Sequence, residues 1–246
     1  MSRRLGSSAA LVATLVVGLL FALALTSISA EVYEAVTDGG GVAELDHPIL
    51  DAAITLRSPF LDAALTDYTN IAGVVGIPVL ALSAVIGLGV RRRSWTPVIL
   101  IVSAAIGSLL MTIVGKQLIG RQRPPLQDAV PPFEYSASFP SGHTLNAVVV
   151  AGVVAYLLVL RQRTRRARAI TIALAAAFAF TVGLSRVYLG HHWFTDVVVA
   201  WTVGVAWLAL VITAHRLYLT VTRSTVTTFA TGYGWSGSCQ QVSAWS

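Results

Sequence analysis

The 246-residue chain is 55% hydrophobic and only 11% charged, which excludes an ordinary soluble domain and points to an integral membrane protein. A net charge of +6 would suggest a nucleic-acid partner in a soluble chain. In a membrane protein the arginines of short cytoplasmic loops account for it, so no nucleic acid is expected. The single cysteine, Cys239, excludes an intramolecular disulfide and a cysteine-based metal cluster.

Met1 to Arg4 is short and basic, and residues 9–30 form the first apolar run. It exceeds the ~7 to 15 apolar residues of a signal peptide and is long enough to span a bilayer. It therefore reads as a retained helix, with Ser27 to Ala30 as the cleavage region of the alternative. Glu31 to Asn70 is the longest polar stretch and carries eight of the eleven acidic residues. Within it Ile49, Leu50, Ala53, Ile54 and Leu56, then Phe60, Leu61, Ala64 and Leu65, recur at helical spacing, with Pro59 as a break or first-turn residue. This pattern suits short amphipathic helices on the membrane surface, and nothing in it suggests catalysis.

Further spans are expected at 71–90, 96–115, 144–160, 169–189 and 193–215. The fold class is all-α: a polytopic bundle of six transmembrane helices forming one domain over residues 1–219. Residues 220–246 lose hydrophobic periodicity and read as a mobile cytoplasmic tail, although Trp235 and Trp245 suit an interface. Charge sorting tests the count. With a cytoplasmic N-terminus, twelve of the seventeen basic residues fall inside and all eleven acidic residues outside. Both termini are then cytoplasmic. The outside cations are Arg57, Lys116, Arg121, Arg123 and Arg186, and four of these five belong to or adjoin three polar clusters.

In the first cluster, Lys116 and Arg123 are seven apart, two turns along a continuing helix, so both can face one side before Pro124-Pro125 stops it. Two cations on one face make an anion clamp; a pair of snorkelling interfacial cations is the plainer reading. Arg121 either helps to bind a second phosphate or faces lipid head groups, and the second is preferred. The next cluster, Pro140-Ser141-Gly142-His143, immediately precedes an apolar helix. Ser141 and Gly142 fall at its N-terminus, where free N–H groups and the helix dipole receive a phosphate, with an ordinary N-cap as the plain alternative. His143 stands beside the bound group, placed to give a proton to a departing oxygen.

The last cluster runs from Ser185 to Asp196. His192 and Asp196 are four apart, so on a helix starting near Trp193 the carboxylate can hold one imidazole nitrogen and leave the other free to attack. Arg186 supplies a cationic fork for phosphate oxygens. His191, five from Asp196, is aimed off that face and reads as structural. All three clusters fall at the outer ends of adjacent spans, where a bundle can bring them into one pocket.

Lys116 followed by Arg123-Pro124, then Pro140-Ser141-Gly142-His143, then Ser185-Arg186, His192 and Asp196 together resemble the signature of the type-2 phosphatidic acid phosphatase superfamily. No signature position departs from it, and the resemblance covers about Lys116 to Asp196. It implies a metal-independent, cofactor-free lipid phosphatase of the membrane branch, acting through a phosphohistidine. On that resemblance His192 is the nucleophile and Asp196 its support. His143 is the acid and base, and Lys116, Arg123, Ser141, Gly142 and Arg186 bind the phosphate oxygens. Lipid phosphates of the outer leaflet are the expected substrates: undecaprenyl diphosphate, phosphatidylglycerophosphate or phosphatidate. An inert lipid-phosphate-binding scaffold and a proton-coupled transporter are the competing classes. The transporter requires ionisable groups near the midplane of several helices, whereas these gather at one surface.

Overall fold

Proline and glycine set the helix boundaries of this chain. The computed structural model describes residues 40–89 and 95–232, with side chains to 222, and scattered positions between 15 and 38. Among these, every regular element is helical: a 3-10 turn Gly41–Leu45, α1 (Asp46–Thr55), α2 (Pro59–Asn70), α3 (Gly76–Gly89), α4 (Thr96–Ile119), a 3-10 turn Leu126–Asp128, α5 (Gly142–Val159), α6 (Arg165–Tyr188) and α7 (Phe194–Gly232). Pro59 opens α2 at its first turn, behind Ser58, whose hydroxyl accepts the Leu61 N–H. Thr164 caps α6 in the same way, accepting from Ala167.

Among the described residues, four helices are long and apolar enough to cross a membrane: α4, α5, α6 and the Phe194–Thr222 part of α7. At 24 residues, α4 is about 36 Å long, enough for the ~30 Å hydrocarbon layer. The span expected at 71–90 is shorter than anticipated. Residues 71–75 form a turn and only Gly76–Gly89 is helical. Backbone crowding explains the break: a Cβ on Gly76 would lie 2.3 Å from the Ile71 carbonyl oxygen, so only glycine allows the chain to fold back there. The expected first span, 9–30, lies partly outside the described residues. Its described positions are helical, and Gly18 abuts Thr213 of α7. At the other end α7 continues through Gly232, past the expected limit of the membrane domain; residues 233–246 lie outside the described ones.

The centre of the bundle is α5, packed against α3, α4, α6 and α7 and the most buried of the four long helices. Leu145, Val149, Val153 and Leu157 on one side meet Ile101 and Ala104 of α4 and Ala200 of α7. Ala147, Val148 and Val150 on another meet Ala179 and Val182 of α6. Between α4 and α7 the approach is close enough that a Cβ on Gly107 would strike the Trp207 ring at 2.3 Å. Where α6 ends and α7 begins, α1 packs against both helices and α2 against α6. Arg57, between α1 and α2, donates to the carbonyls of Tyr188 (2.8 and 3.0 Å) and Asp128 (2.8 Å). Arg57 thus fastens α1 and α2 to the end of α6.

Candidate active site

The site forms where the N-terminal ends of α5 and α7 meet the C-terminal ends of α4 and α6, under the loop 120–141. Phe194 begins α7, and Asp196 lies in its first turn. The Asp196 carboxylate accepts the backbone N–H of Trp193 at 3.0 Å, closing the helix start as a capping carboxylate does. That bond turns its Oδ2 toward Nδ1 of His192, 3.5 Å away. The Ser138 hydroxyl donates to the same Oδ2 and lies 3.4 Å from Nδ1. His192 is 1% exposed, held by chain reversal at Gly190, where φ is +69° and a Cβ would strike the Asp128 carbonyl.

The other imidazole nitrogen, Nε2, lies 3.3 Å from Nη1 of Arg123. Arg123 also donates to the His191 and Ser136 carbonyls, and Lys116 reaches Ser136 Oγ at 3.0 Å and the Ala137 carbonyl. Both cations therefore converge on one loop segment. They do so without sharing a helix: α4 ends at Ile119, Gly120 takes a left-handed conformation (φ +59°), and Arg123 follows in irregular chain. The expected continuous helix from Lys116 to Arg123 is corrected accordingly.

Arg186, from the last turn of α6, is 1% exposed, and its Nη2 donates to Glu134 Oε1. Glu134 Oε2 meets Arg123 Nη2 at 2.8 Å, so one carboxylate bridges two guanidinium groups from different elements. Burial alone raises the Glu134 pKa, but Arg186 and the other cations around it prevail and hold it at about 2. Nε of Arg186 is buried without a partner, a donor suited to a further oxyanion oxygen. His143, in the first turn of α5, lies within electrostatic reach of Glu134, Arg186 and Arg123. Gly73 faces it: a Cβ there would sit 3.0 Å from the His143 Nε2.

Ser141 occupies the N-cap of α5 and Gly142 its first position, as their order implies. The Ser141 hydroxyl pairs with Thr144 Oγ1 at 2.9 Å, and its backbone N–H donates to the Asp196 carbonyl. Gly142 lets α5 approach α4, since a Cβ would lie 3.1 Å from a Thr112 methyl. The His191 Nε2 pairs with the Val130 carbonyl at 2.7 Å, and Arg123 meets this residue at its backbone carbonyl. Burial, and then Arg186, lower its pKa to about 4. Burial, Arg186 and Arg123 likewise keep His192 well below the ordinary histidine value, so it is neutral near pH 7.

Arg121 departs most from expectation. Its guanidinium pairs with two carboxylates instead, Asp46 and Asp196, each at 2.7 Å. Glu134, Ser138 and Asp46 were not singled out from sequence. Glu134 had one available signal, being one of only three acidic residues after residue 70. A separate apolar cavity of about 730 Å³ lies between α5, α6 and α7, lined by residues such as Val148, Gly152, Phe180 and Trp201. None of the site's ionisable groups borders it.

Known proteins resemble this chain in sequence and in fold. Residues 96–218 match the model of the PAP2 superfamily. Phosphatidylglycerophosphatase B of Bacillus subtilis (strain 168) is 33% identical over 173 residues, 69% of this chain and 83% of that protein. The crystal structure of a transmembrane PAP2 type phosphatidylglycerolphosphate phosphatase from Bacillus subtilis superposes with a TM-score of 0.73 at 29% identity, covering 79% of this chain and 96% of that one. Aquifex aeolicus LpxE shares the fold at a TM-score of 0.54 and 24% identity, over 68% of this chain and 94% of that one. With its motifs, membrane helices and site geometry in accord, this chain belongs to the PAP2 superfamily.

Proposed function

We propose that this protein is a membrane lipid phosphatase that removes a terminal phosphate from a lipid phosphate through a phosphohistidine at His192. One observation carries the reading: two guanidinium groups, Arg123 and Arg186, grip a single carboxylate beside the Nε2 of a buried neutral imidazole. A phosphate monoester presents the same oxygens with more charge, and its phosphorus would then face Nε2.

The steps follow from the contacts. His192 Nε2 forms a bond to phosphorus as the bond to the lipid oxygen breaks, and His143 gives its proton to that oxygen. Asp196, opposite Nδ1, stabilises the positive imidazole. His143, now neutral, takes a proton from water; that water attacks phosphorus, the N–P bond breaks and inorganic phosphate leaves. Lys116, Arg123 and Arg186 neutralise the equatorial oxygens throughout, the part a divalent cation plays in other phosphoryl-transfer sites. Ser141 and Gly142 contribute the N-terminus of α5 to the same oxygens.

Two of the named relatives, both from Bacillus subtilis, are named for action on phosphatidylglycerophosphate, which makes that lipid the first candidate substrate, ahead of undecaprenyl diphosphate and phosphatidate. The reading includes six crossings, both termini in the cytoplasm and the site on the extracytoplasmic side, in keeping with the arginine distribution. A panel of purified lipid phosphates and diphosphates, assayed for phosphate release in detergent, tests it. Release from one or more, abolished in His192→Ala, is expected; no release from any of them contradicts it.

A further inference from the structure

Asp46 begins α1, in the acidic segment that the motifs leave aside, yet it is 2% exposed. Its Oδ1 accepts the Thr195 N–H at 2.9 Å, and its Oδ2 accepts the Thr195 hydroxyl and Arg121 Nη2, each at 2.7 Å. Arg121 turns its other nitrogen, Nη1, to Asp196 Oδ1 at 2.7 Å and to the Thr195 hydroxyl at 2.8 Å. Its guanidinium also lies over the Trp193 ring, 5.6 Å from the centroid, and His47 meets the same ring edge-on at 4.8 Å. The side chains thus run in one line from Asp46 through Arg121 and Asp196 to His192.

Resting on the phosphohistidine reading above, we infer that Asp46 is a positioning residue for the phosphoryl transfer, acting through Arg121 on Asp196. Two physical roles follow from the line. Arg121 pins Oδ1, so the carboxylate cannot rotate and Oδ2 stays opposite Nδ1 of His192. Asp46 also balances the Arg121 charge, so the negative charge of Asp196 remains available to the imidazole when it becomes cationic on phosphorylation. Without Asp46, Arg121 would claim Asp196 for itself. Neither Asp46 nor Arg121 bonds to the side chain of Lys116, Arg123 or Arg186, so the expected effect falls on turnover rather than on binding of the phosphate.

The test is a double-mutant cycle on the full-length protein in detergent, with lipid-phosphate turnover normalised to folded enzyme and inhibition by orthovanadate as the binding readout. Asp46→Asn lowers kcat by about 10 to 100-fold, the usual scale for a partner that orients a reacting ligand, while KM and vanadate inhibition stay within ~2-fold. In an Arg121→Gln background the same substitution changes kcat by less than ~2-fold, because the intermediary is gone. If Asp46→Asn yields too little folded protein, Arg121→Lys carries the test. It keeps the charge but cannot fork, and a loss of kcat at constant KM is expected. Unchanged kcat in either single variant, equal losses in both backgrounds, or a loss confined to KM overturns the inference. Absence of turnover in the unsubstituted enzyme would instead count against the phosphatase reading itself.

Discussion

Nη1 of Arg123 stands 3.3 Å from Nε2 of His192, while Nη2 of the same guanidinium holds Glu134 at 2.8 Å. On the proposed mechanism a single side chain therefore touches both the attacking nitrogen and the anion-binding position. Replacing Arg123 by Gln removes the fork that aligns them. The expected loss in kcat/KM is about 10²- to 10³-fold, in both binding and turnover, on the scale of other oxyanion donors. Steady-state kinetics with a lipid phosphate checks it, and an unchanged kcat/KM removes Arg123 from the clamp.

Glu134 occupies the position between the two arginines that the substrate phosphate would take. With its pKa held at about 2, it remains ionised at every working pH, so protonation cannot clear it. An incoming dianion must displace it. Glu134→Gln should therefore tighten inhibition by inorganic phosphate or orthovanadate by about tenfold, roughly 1.4 kcal/mol. A weaker inhibitor in that variant would mean that the carboxylate supports the anion site rather than competing for it.

Burial, then Arg186 and Arg123, disfavour the cationic form of His192. The proposed nucleophile thus stays neutral below the ordinary 6.5, and the acid limb of kcat/KM assigned to His192 should lie below that value. Removing a nearby cation favours protonation, so Arg123→Gln should move the limb upward. A pH profile of kcat/KM in both proteins decides the sign, and a downward move would contradict the assignment.

His191 provides a matching stability test. Its folded pKa, about 4, lies below the ordinary 6.5, so as pH falls below 6.5 the unfolded chain takes up a proton that the folded chain refuses. Its contribution is complete above pH 6.5 and is lost as pH falls toward 4. Glu134 acts only lower, between its ordinary 4.5 and about 2. Thermal melts in detergent should therefore show Tm falling by several degrees between pH 7 and 5, with a smaller fall in His191→Gln, which keeps a donor for Val130. An equal fall in both removes His191 as the source.

Much of the site was legible because its chemistry sits in short local patterns. The i to i+4 relation of His192 and Asp196 follows from a helix beginning after Trp193, and Ser141-Gly142 announces the start of α5. Membrane helices were legible in place where apolar runs are long, as for α4 to α7. What could not be read depends on contacts between distant segments. Arg121 and Asp46 are 75 residues apart, and no periodicity joins them. Glu134 and Ser138 lie in a loop whose path is set by its anchors at Arg121, Lys116 and Asp196. Gly120 carried a usable signal for the end of α4, which the attraction of a seven-residue spacing between cations obscured. The turn at 71–75 was hidden for another reason: its residues are apolar, and only backbone crowding at Gly76 breaks the helix.

The central claim is a covalent bond between phosphorus and Nε2 of His192, and trapping that species tests it most directly. Purified protein is mixed with a lipid phosphate carrying a radiolabelled phosphoryl group, quenched within a turnover and divided between acid and alkali. The account predicts label on the protein that survives alkali, is lost in acid, maps to the peptide containing His192 and is absent from His192→Ala. Turnover with no labelled protein at any quench time, or label on a different residue, would contradict it.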